Sequence, residues 1–174
     1  MAASDPHPHL LPPSPGRLAC LSALELQERL EEEINRAERH GTALSCLLVA
    51  IDNLEELSRE HGSELPEQTL AYVGPVLRRE LRRFDRIGRP SDGELLLVLP
   101  GADGPRGEIV ARRVLERLRA IKVEADGQRR PLRVSVGLAA WRKDSSSEDL
   151  VARTRAAAQL ERHENGVPSE TGTR

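Results

Sequence analysis

The chain has 174 residues, a formal net charge of −2 and 31% charged residues. This length suits one domain with a sizeable core, and the nearly balanced charge argues against a general nucleic-acid binder. Aromatic residues make up only 2% of the sequence, which disfavours an RNA-binding sheet that stacks bases on its surface. Nearly all the positive charge is arginine, which is typical of bidentate phosphate or guanine recognition and equally of a GC-rich genome.

The two ends of the chain differ in composition from the rest. Residues 1–17 are rich in proline, histidine and serine and are predicted to form a disordered arm, and residues 167–174 a disordered tail. One domain is expected at 18–166. No apolar run reaches transmembrane length and no signal peptide is evident, so a cytoplasmic protein without membrane association is expected.

Cysteine usage gives no sign of a metal centre or an oxidising compartment. Cys20 and Cys46 lack metal-ligand spacing, and Cys46 lies in an apolar run that predicts a buried thiol. Neither a metal nor a cofactor is expected.

The first predicted element is a helix with clear start and stop signals. Ser22 and Glu25 form a capping-box pattern, apolar residues then recur at helical spacing, and Gly41 ends the helix. Ala43–Ile51 is short and almost wholly apolar, which predicts a buried central strand.

Helices and strands alternate through the rest of the chain. Asp52 and Asn53 are predicted to cap a short helix that ends at Gly62, and Pro66 precedes a longer one at Glu67–Arg83. The remaining predicted elements are strands Phe84–Gly88, Glu94–Leu99 and Leu132–Ala140 and helices Glu108–Ile121 and Glu148–His163. The alternation and the tight turn before Glu94 predict an α/β (α+β) sandwich with a ferredoxin-like core.

Several motifs in this order resemble the GGDEF domain, the diguanylate cyclase fold, over about Ser22–Gly166. AIDNLEELSREHG at Ala50–Gly62 resembles the family's DIDNFKxINDxxGH. DRIGRPSDGELLLVLPG, from Asp85, resembles DxxARLGGDEFxxLLPG, and LRVSVGLA, from Leu132, resembles VTVSIGVA. The resemblance implies a bacterial signalling domain with a mostly antiparallel five-stranded central sheet flanked by helices.

The resemblance places the family's signature pentapeptide on the turn SDGEL. Active members have two glycines at the first two positions, where a Cβ would crowd the substrate phosphates; here they are Ser91 and Asp92. The third position, a metal-binding carboxylate in the family, is Gly93, while Glu94 is retained.

Other active-site positions implied by the resemblance also differ. The second metal-binding aspartate falls on Ala50, and Asp52 could supply one distorted ligand instead. The guanine-reading asparagine and aspartate fall on Ser58 and Glu67, and a phosphate-contacting lysine falls on Glu55. These replacements predict a degenerate active site, so the chain is not expected to be an enzyme.

The R-x-x-D motif of the family is retained at Arg82–Asp85, five residues before the signature turn. In the family this motif binds dimeric cyclic di-GMP, and Arg113 falls where a further arginine joins the site. Arginine can fork onto a guanine edge or a phosphate, and aspartate can accept from guanine N–H groups. A purely structural role for the motif is the alternative. An arginine near a helix C-terminus is favourable without a ligand, and so is an Arg–Asp pair one helical turn apart.

The sequence therefore predicts a binding module that uses Arg82, Asp85 and Arg113 to hold cyclic di-GMP and signals through an unidentified protein partner. A homodimer linked by the ligand is a further expectation, and no nucleic-acid partner is expected. The alternative is a nucleotide-independent protein–protein interaction scaffold, and a third hypothesis is residual GTP binding or cyclase activity.

Overall fold

Helices and strands alternate through residues 20–165, the part of the chain that the computed structural model describes. The predicted arm at 1–17 and tail at 167–174 lie outside the described residues. The helices are α1 Ala23–His40, α2 Leu54–His61, α3 Leu65–Glu80, α4 Gly104–Arg119 and α5 Ser147–Glu164. The strands are β1 Cys20–Leu21, β2 Leu44–Ile51, β3 Arg86–Gly88, β4 Glu94–Pro100, β5 Lys122–Ala125, β6 Gln128–Pro131 and β7 Val134–Ala140.

The central sheet has five strands in the order β1-β3-β4-β2-β7. The short β1 runs parallel to β3, and the other neighbours are antiparallel. Within it, β2, β3, β4 and β7 with their helices form a βαββαβ unit, the ferredoxin-like arrangement. The predicted fold class is confirmed, and β5 and β6 form a separate hairpin.

Helices cover both faces of the central sheet, which explains why β2 and β4 are almost wholly apolar. Successive side chains of a strand point to opposite faces, so each strand feeds two hydrophobic clusters. One cluster joins the sheet to α2, α3 and α4; it includes Leu47, Val49, Leu95, Leu97, Leu57, Val73, Leu77, Val114 and Leu118. The other joins the sheet to α1 and α5; it includes Cys46, Leu48, Leu96, Val98, Leu26, Leu30, Leu150 and Ala158.

Cys46 is a buried thiol, as predicted. Burial raises the pKa of Cys46 to about 12, against a smaller opposing effect of the Arg153 charge. No helix of the described part of the chain is long and apolar enough to cross a membrane.

The start of α1 is confirmed; Asn53 lies at the predicted N-cap position of α2, but the expected side-chain cap is absent. The Ser22 hydroxyl accepts from the Glu25 N–H at 3.3 Å, and the Ser22 N–H donates to the Glu25 carboxylate at 2.9 Å. The Asn53 side chain makes no cap hydrogen bond. It donates to the Pro131 carbonyl at 3.0 Å and accepts from the Arg133 N–H at 2.9 Å, which ties the start of α2 to the chain between β6 and β7.

Helix α4 starts one turn earlier than predicted. The Asp103 carboxylate accepts from the Arg106 N–H at 3.0 Å and so caps the helix before Gly104. The apolar side predicted for this helix is wrong at Ile109, which is 56% exposed, although Val114 and Leu118 are fully buried.

Helix α5 packs closest to the sheet at Gly137 of β7. A Cβ added there would collide with the backbone N of Ala158 and the backbone O of Thr154. We expect Gly137→Ala to lower the free energy of unfolding by about 1–3 kcal/mol, because backbone atoms cannot yield as a side chain can. Urea denaturation measures this.

Gly104→Ala is the matched control, since a Cβ added at Gly104 meets nothing within 4 Å. Its free energy of unfolding should stay the same or rise slightly, because alanine favours a helix over glycine. Equal stability of the two variants would contradict the close packing of α5 on β7.

Candidate functional site

The segment Arg82–Asp85, called here the Arg82–Asp85 turn, joins α3 to β3. The Arg82 N–H donates to Asp85 Oδ2 at 2.7 Å, and the Asp85 N–H donates to the Arg82 carbonyl at 3.1 Å. Helix α3 ends at Glu80, and β3 begins only at Arg86. The prediction of a helix to Arg83, with guanidinium and carboxylate one helical turn apart, is therefore wrong: the carboxylate closes a turn on the backbone.

Two further arginines donate hydrogen bonds to backbone carbonyls of this turn. Arg78 donates to the Asp85 carbonyl at 2.7 Å and to the Arg82 carbonyl at 2.6 Å. Arg86 donates to the Arg83 carbonyl at 3.1 Å. Sequence reasoning missed Arg78, whose signal was its place in the last turn of α3, where a cation can satisfy terminal carbonyls.

Asp85 is only 4% exposed. Burial raises the pKa of its carboxyl, against opposing effects of the Arg82 N–H hydrogen bond and of the charges of Arg82, Arg78 and Arg86. Its Oδ1 accepts no hydrogen bond from the described residues.

The outer surface of the turn is basic. Arg82, Arg83 and Phe84 are exposed, and Phe84 is 69% exposed. The guanidinium groups of Arg82 and Arg83 have no ion pair or hydrogen bond within residues 20–165. The turn thus presents two exposed arginines whose guanidinium groups make no hydrogen bond or ion pair in the described residues, although the Arg82 charge acts on Asp85.

Arg113 lies on α4, which packs beside α3. Because β4 runs antiparallel to β3, α4 begins at the end of the sheet where α3 finishes. Arg117 donates to Glu80, at the end of α3, at 2.9 Å. Arg113 lies one helical turn nearer the start of α4, on the same face of the helix as Arg117. It is exposed and has no ion pair or hydrogen bond in the described part of the chain.

The predicted signature turn lies at the opposite end of β4. Gly93 has φ 73°, a value that favours glycine, and its carbonyl accepts from the Ile51 N–H at 3.0 Å. Glu94 lies opposite Ala50 of β2. Its carboxylate accepts from the Ser91 hydroxyl at 2.5 Å and from Arg155 of α5 at 2.8 Å.

The pKa of Glu94 reflects these contacts. Burial alone would raise it, but the hydrogen bonds from Arg155 and Ser91 and the Arg155 charge outweigh burial and lower it.

A cleft of about 550 Å³ lies between this turn and the α2–α3 segment. The structure brings together here nearly all positions that the sequence assigned to the active site. Its lining includes Ala50, Asp52, Glu55, Ser58, Glu67, Arg89, Asp92, Gly93, Glu94 and Arg162.

Carboxylates of this cleft are paired with arginines. Arg89 donates to both oxygens of Glu67, at 2.9 and 3.1 Å. Arg162 Nε lies 3.3 Å from Asp52 Oδ1, an ion pair without hydrogen-bond geometry. The sequence analysis missed Arg89. Its position just before the turn SDGEL gave no indication that it pairs with Glu67.

The pKa of Asp52 is raised by burial, against opposing effects of the hydrogen bond from Ser135 and of the charges of Arg162 and Arg133. The side chain of Asp52 is only 2% exposed.

The donor set of the cleft does not fit the two divalent cations that the resemblance implies. Ala50 and Gly93 offer no side-chain ligand atom, and Asp52 and Glu94 face arginines. Within the described residues no group of three or more His, Cys, Asp or Glu side chains is arranged to hold a metal ion.

The model of the family described as diguanylate cyclase, GGDEF domain, matches residues 23–166. The chain belongs to the GGDEF domain family. Diguanylate cyclase DgcP of Pseudomonas aeruginosa is 29% identical over 132 residues, which are 74% of this chain and 19% of DgcP. This chain thus corresponds to a small part of that relative.

Solved structures share the fold. The diguanylate cyclase SiaD of Pseudomonas aeruginosa, solved in complex with its activator SiaC, has a TM-score of 0.79 and 25% identity, covering 90% of this chain and 60% of the SiaD chain. The GGDEF domain of DgcB from Caulobacter crescentus, solved in complex with c-di-GMP, has a TM-score of 0.79 and 17% identity, covering 85% and 86% of the two chains. The second likeness is one of fold alone.

The expectation that the chain is not an enzyme is contradicted. The GGDEF family is enzymatic, and the relatives DgcP and SiaD are named diguanylate cyclases. The replaced side chains change the lining of the cleft. This change alone is not evidence that the diguanylate cyclase reaction is absent.

The contact between Arg155 and Glu94 yields a test of the cleft's electrostatics. Arg155→Met should raise the pKa of Glu94 above its usual value near 4.5, because burial remains and the partner is gone. NMR titration of the Glu94 carboxyl measures this.

Stability should change with pH in the same sense. The lowered pKa means that the pair stabilises the folded protein above pH 4.5, and that this contribution is lost as pH falls through the folded pKa. Arg155→Met should therefore cost up to about 1 kcal/mol at pH 7, where solvent partly screens the pair, and less at acid pH. The control Arg29→Met removes an exposed pair with Glu32 and should change little; an unshifted Glu94 pKa in Arg155→Met would refute the assignment.

Proposed function

We propose that this GGDEF domain binds cyclic di-GMP at the Arg82–Asp85 turn and passes the occupancy of that site to a protein partner. The observation that carries the proposal is the exposed basic surface of a turn that Asp85 holds closed, where Arg82 and Arg83 present guanidinium groups without a hydrogen bond or ion pair in the described residues. In the proposal, Arg113 of α4 joins them at the ligand.

The chemistry of this surface matches the ligand. A guanidinium can donate in parallel to O6 and N7 of guanine or to two phosphate oxygens. Asp85 Oδ1, which accepts no hydrogen bond from the described residues, can accept from a guanine N–H. The likeness in fold to the DgcB domain solved with c-di-GMP is consistent with this ligand.

The proposal includes a signalling partner. SiaD, solved in complex with its activator SiaC, is a relative of similar fold that takes a protein partner. A cyclic di-GMP dimer that contacts the Arg82–Asp85 turns of two copies would also link them as a homodimer. In this role the retained R-x-x-D motif is the binding site, and the replaced signature SDGEL is not required for it.

Calorimetry with the full chain and cyclic di-GMP tests the binding site. We expect saturable binding that Arg82→Ala weakens by about five- to 150-fold, because a bidentate arginine–guanine contact contributes about 1–3 kcal/mol. The control Arg36→Ala removes an exposed arginine of α1, on the other face of the sheet, and should leave the affinity unchanged.

A folded wild-type chain that shows no binding would refute the proposal and favour the nucleotide-independent scaffold. Equal affinities of the wild type and Arg82→Ala would refute the assignment of the ligand to this turn.

The diguanylate cyclase reaction is a second candidate function, favoured by the family match and by the names of the relatives. It predicts that the purified full chain converts GTP into cyclic di-GMP in the presence of magnesium, which chromatography of the nucleotides measures. Absence of product from folded protein would remove this candidate and leave the binding function untouched.

A further inference from the structure

Phe84 is the only phenylalanine of the chain and is 69% exposed. It lies inside the Arg82–Asp85 turn, directly after two arginines whose side chains have no partners in the described part of the chain. An exposed aromatic ring gains nothing from the hydrophobic core, so the stability of the fold does not explain its position.

The backbone on both sides of Phe84 is fixed. Arg82 and Asp85 exchange two hydrogen bonds across it, and Arg78 donates to the carbonyls of both. Arg86 holds the carbonyl of Arg83. The backbone that carries the exposed ring is therefore already ordered. Binding of a ligand to the ring would cost little conformational entropy of the backbone.

We propose that Phe84 is a stacking platform for one guanine base of the bound cyclic dinucleotide; this inference rests on the proposed function. An aromatic face beside uncommitted arginines is the combination that binds nucleobases, since the ring contacts the π-face while the cations contact the edge and the phosphates. The positive charge of Arg82 and Arg83 selects an anionic nucleotide over an apolar peptide as the occupant.

The stacking contact distinguishes a nucleobase from a bare phosphate. Arginine binds a phosphate whether or not it belongs to a nucleotide. The Phe84 ring adds binding free energy only when a base stacks on it. Phe84 would thus give the turn its preference for a cyclic dinucleotide over inorganic phosphate.

Calorimetry with cyclic di-GMP and the full chain tests the platform. Phe84→Leu keeps an apolar side chain and removes the ring, and we expect it to weaken binding about five- to a hundredfold. Phe84→Trp should bind at least as tightly as the wild type. Leu24→Ala, which truncates an equally exposed apolar residue of α1, is the control and should bind as the wild type does.

A second readout is independent of affinity. Because the chain has one phenylalanine, a sample with labelled phenylalanine reports Phe84 alone, and stacking should shift its ring protons upfield on addition of cyclic di-GMP. Inorganic phosphate should leave them in place.

The outcomes separate the two proposals. A wild type that does not bind cyclic di-GMP overturns the proposed function and this inference with it. Binding that Arg82→Ala weakens and Phe84→Leu does not, with unshifted ring protons, overturns the stacking role alone.

Discussion

The hydrogen bond from the Arg82 N–H to the Asp85 carboxylate is the contact on which the candidate site depends. It lies between the end of α3 and the start of β3 and fixes the carboxylate of the buried Asp85. The Asp85 carboxylate and the Arg78 guanidinium form the hydrogen bonds to the backbone of the turn. The side chains of Arg82, Arg83 and Phe84 are exposed. The residues that hold the turn and the residues exposed on its outer surface therefore adjoin in sequence, and within the described residues the Asp85 carboxylate holds the turn through Oδ2 alone.

The sheet sets the relation between this turn and the cleft. The turn adjoins the start of β3, opposite Val98 of β4, and the cleft lies at Glu94, where β4 begins. Four residues of extended strand separate these positions, about 13 Å. Strand β4 is buried and paired on both sides, so the two places are joined by one of the most rigid elements of the fold.

Much of the fold could be predicted from the sequence because its signals are local. The capping box at Ser22, the stop at Gly41 and the apolar run of β2 each depend on neighbouring residues, and the structure shows all of them. The short β1 and the hydrogen bonds of Asn53 could not be predicted, because their partners lie far away along the chain.

The residues of the candidate site stay a prediction, and the geometry of the turn that holds two of them could not be predicted from the sequence. The spacing of the R-x-x-D motif singled out Arg82 and Asp85. Helical periodicity predicted that α3 continues to Arg83, whereas the helix ends at Glu80. Periodicity does not reveal that the Asp85 carboxylate accepts from the Arg82 N–H. The arginine–carboxylate pairs of the cleft escaped prediction for another reason. Arg89 meets Glu67 and Arg155 meets Glu94 only after the sheet has formed.

The central claim is that the nucleotide lies on the Arg82–Asp85 turn and not in the cleft at Gly93. A backbone amide NMR titration of the full chain with cyclic di-GMP tests it most directly. The largest shifts are expected at Arg82–Arg86 and Arg113, with small changes at Gly93 and Glu94. Shifts concentrated at Gly93, Glu94 and Ile51, with the turn unaffected, would contradict it.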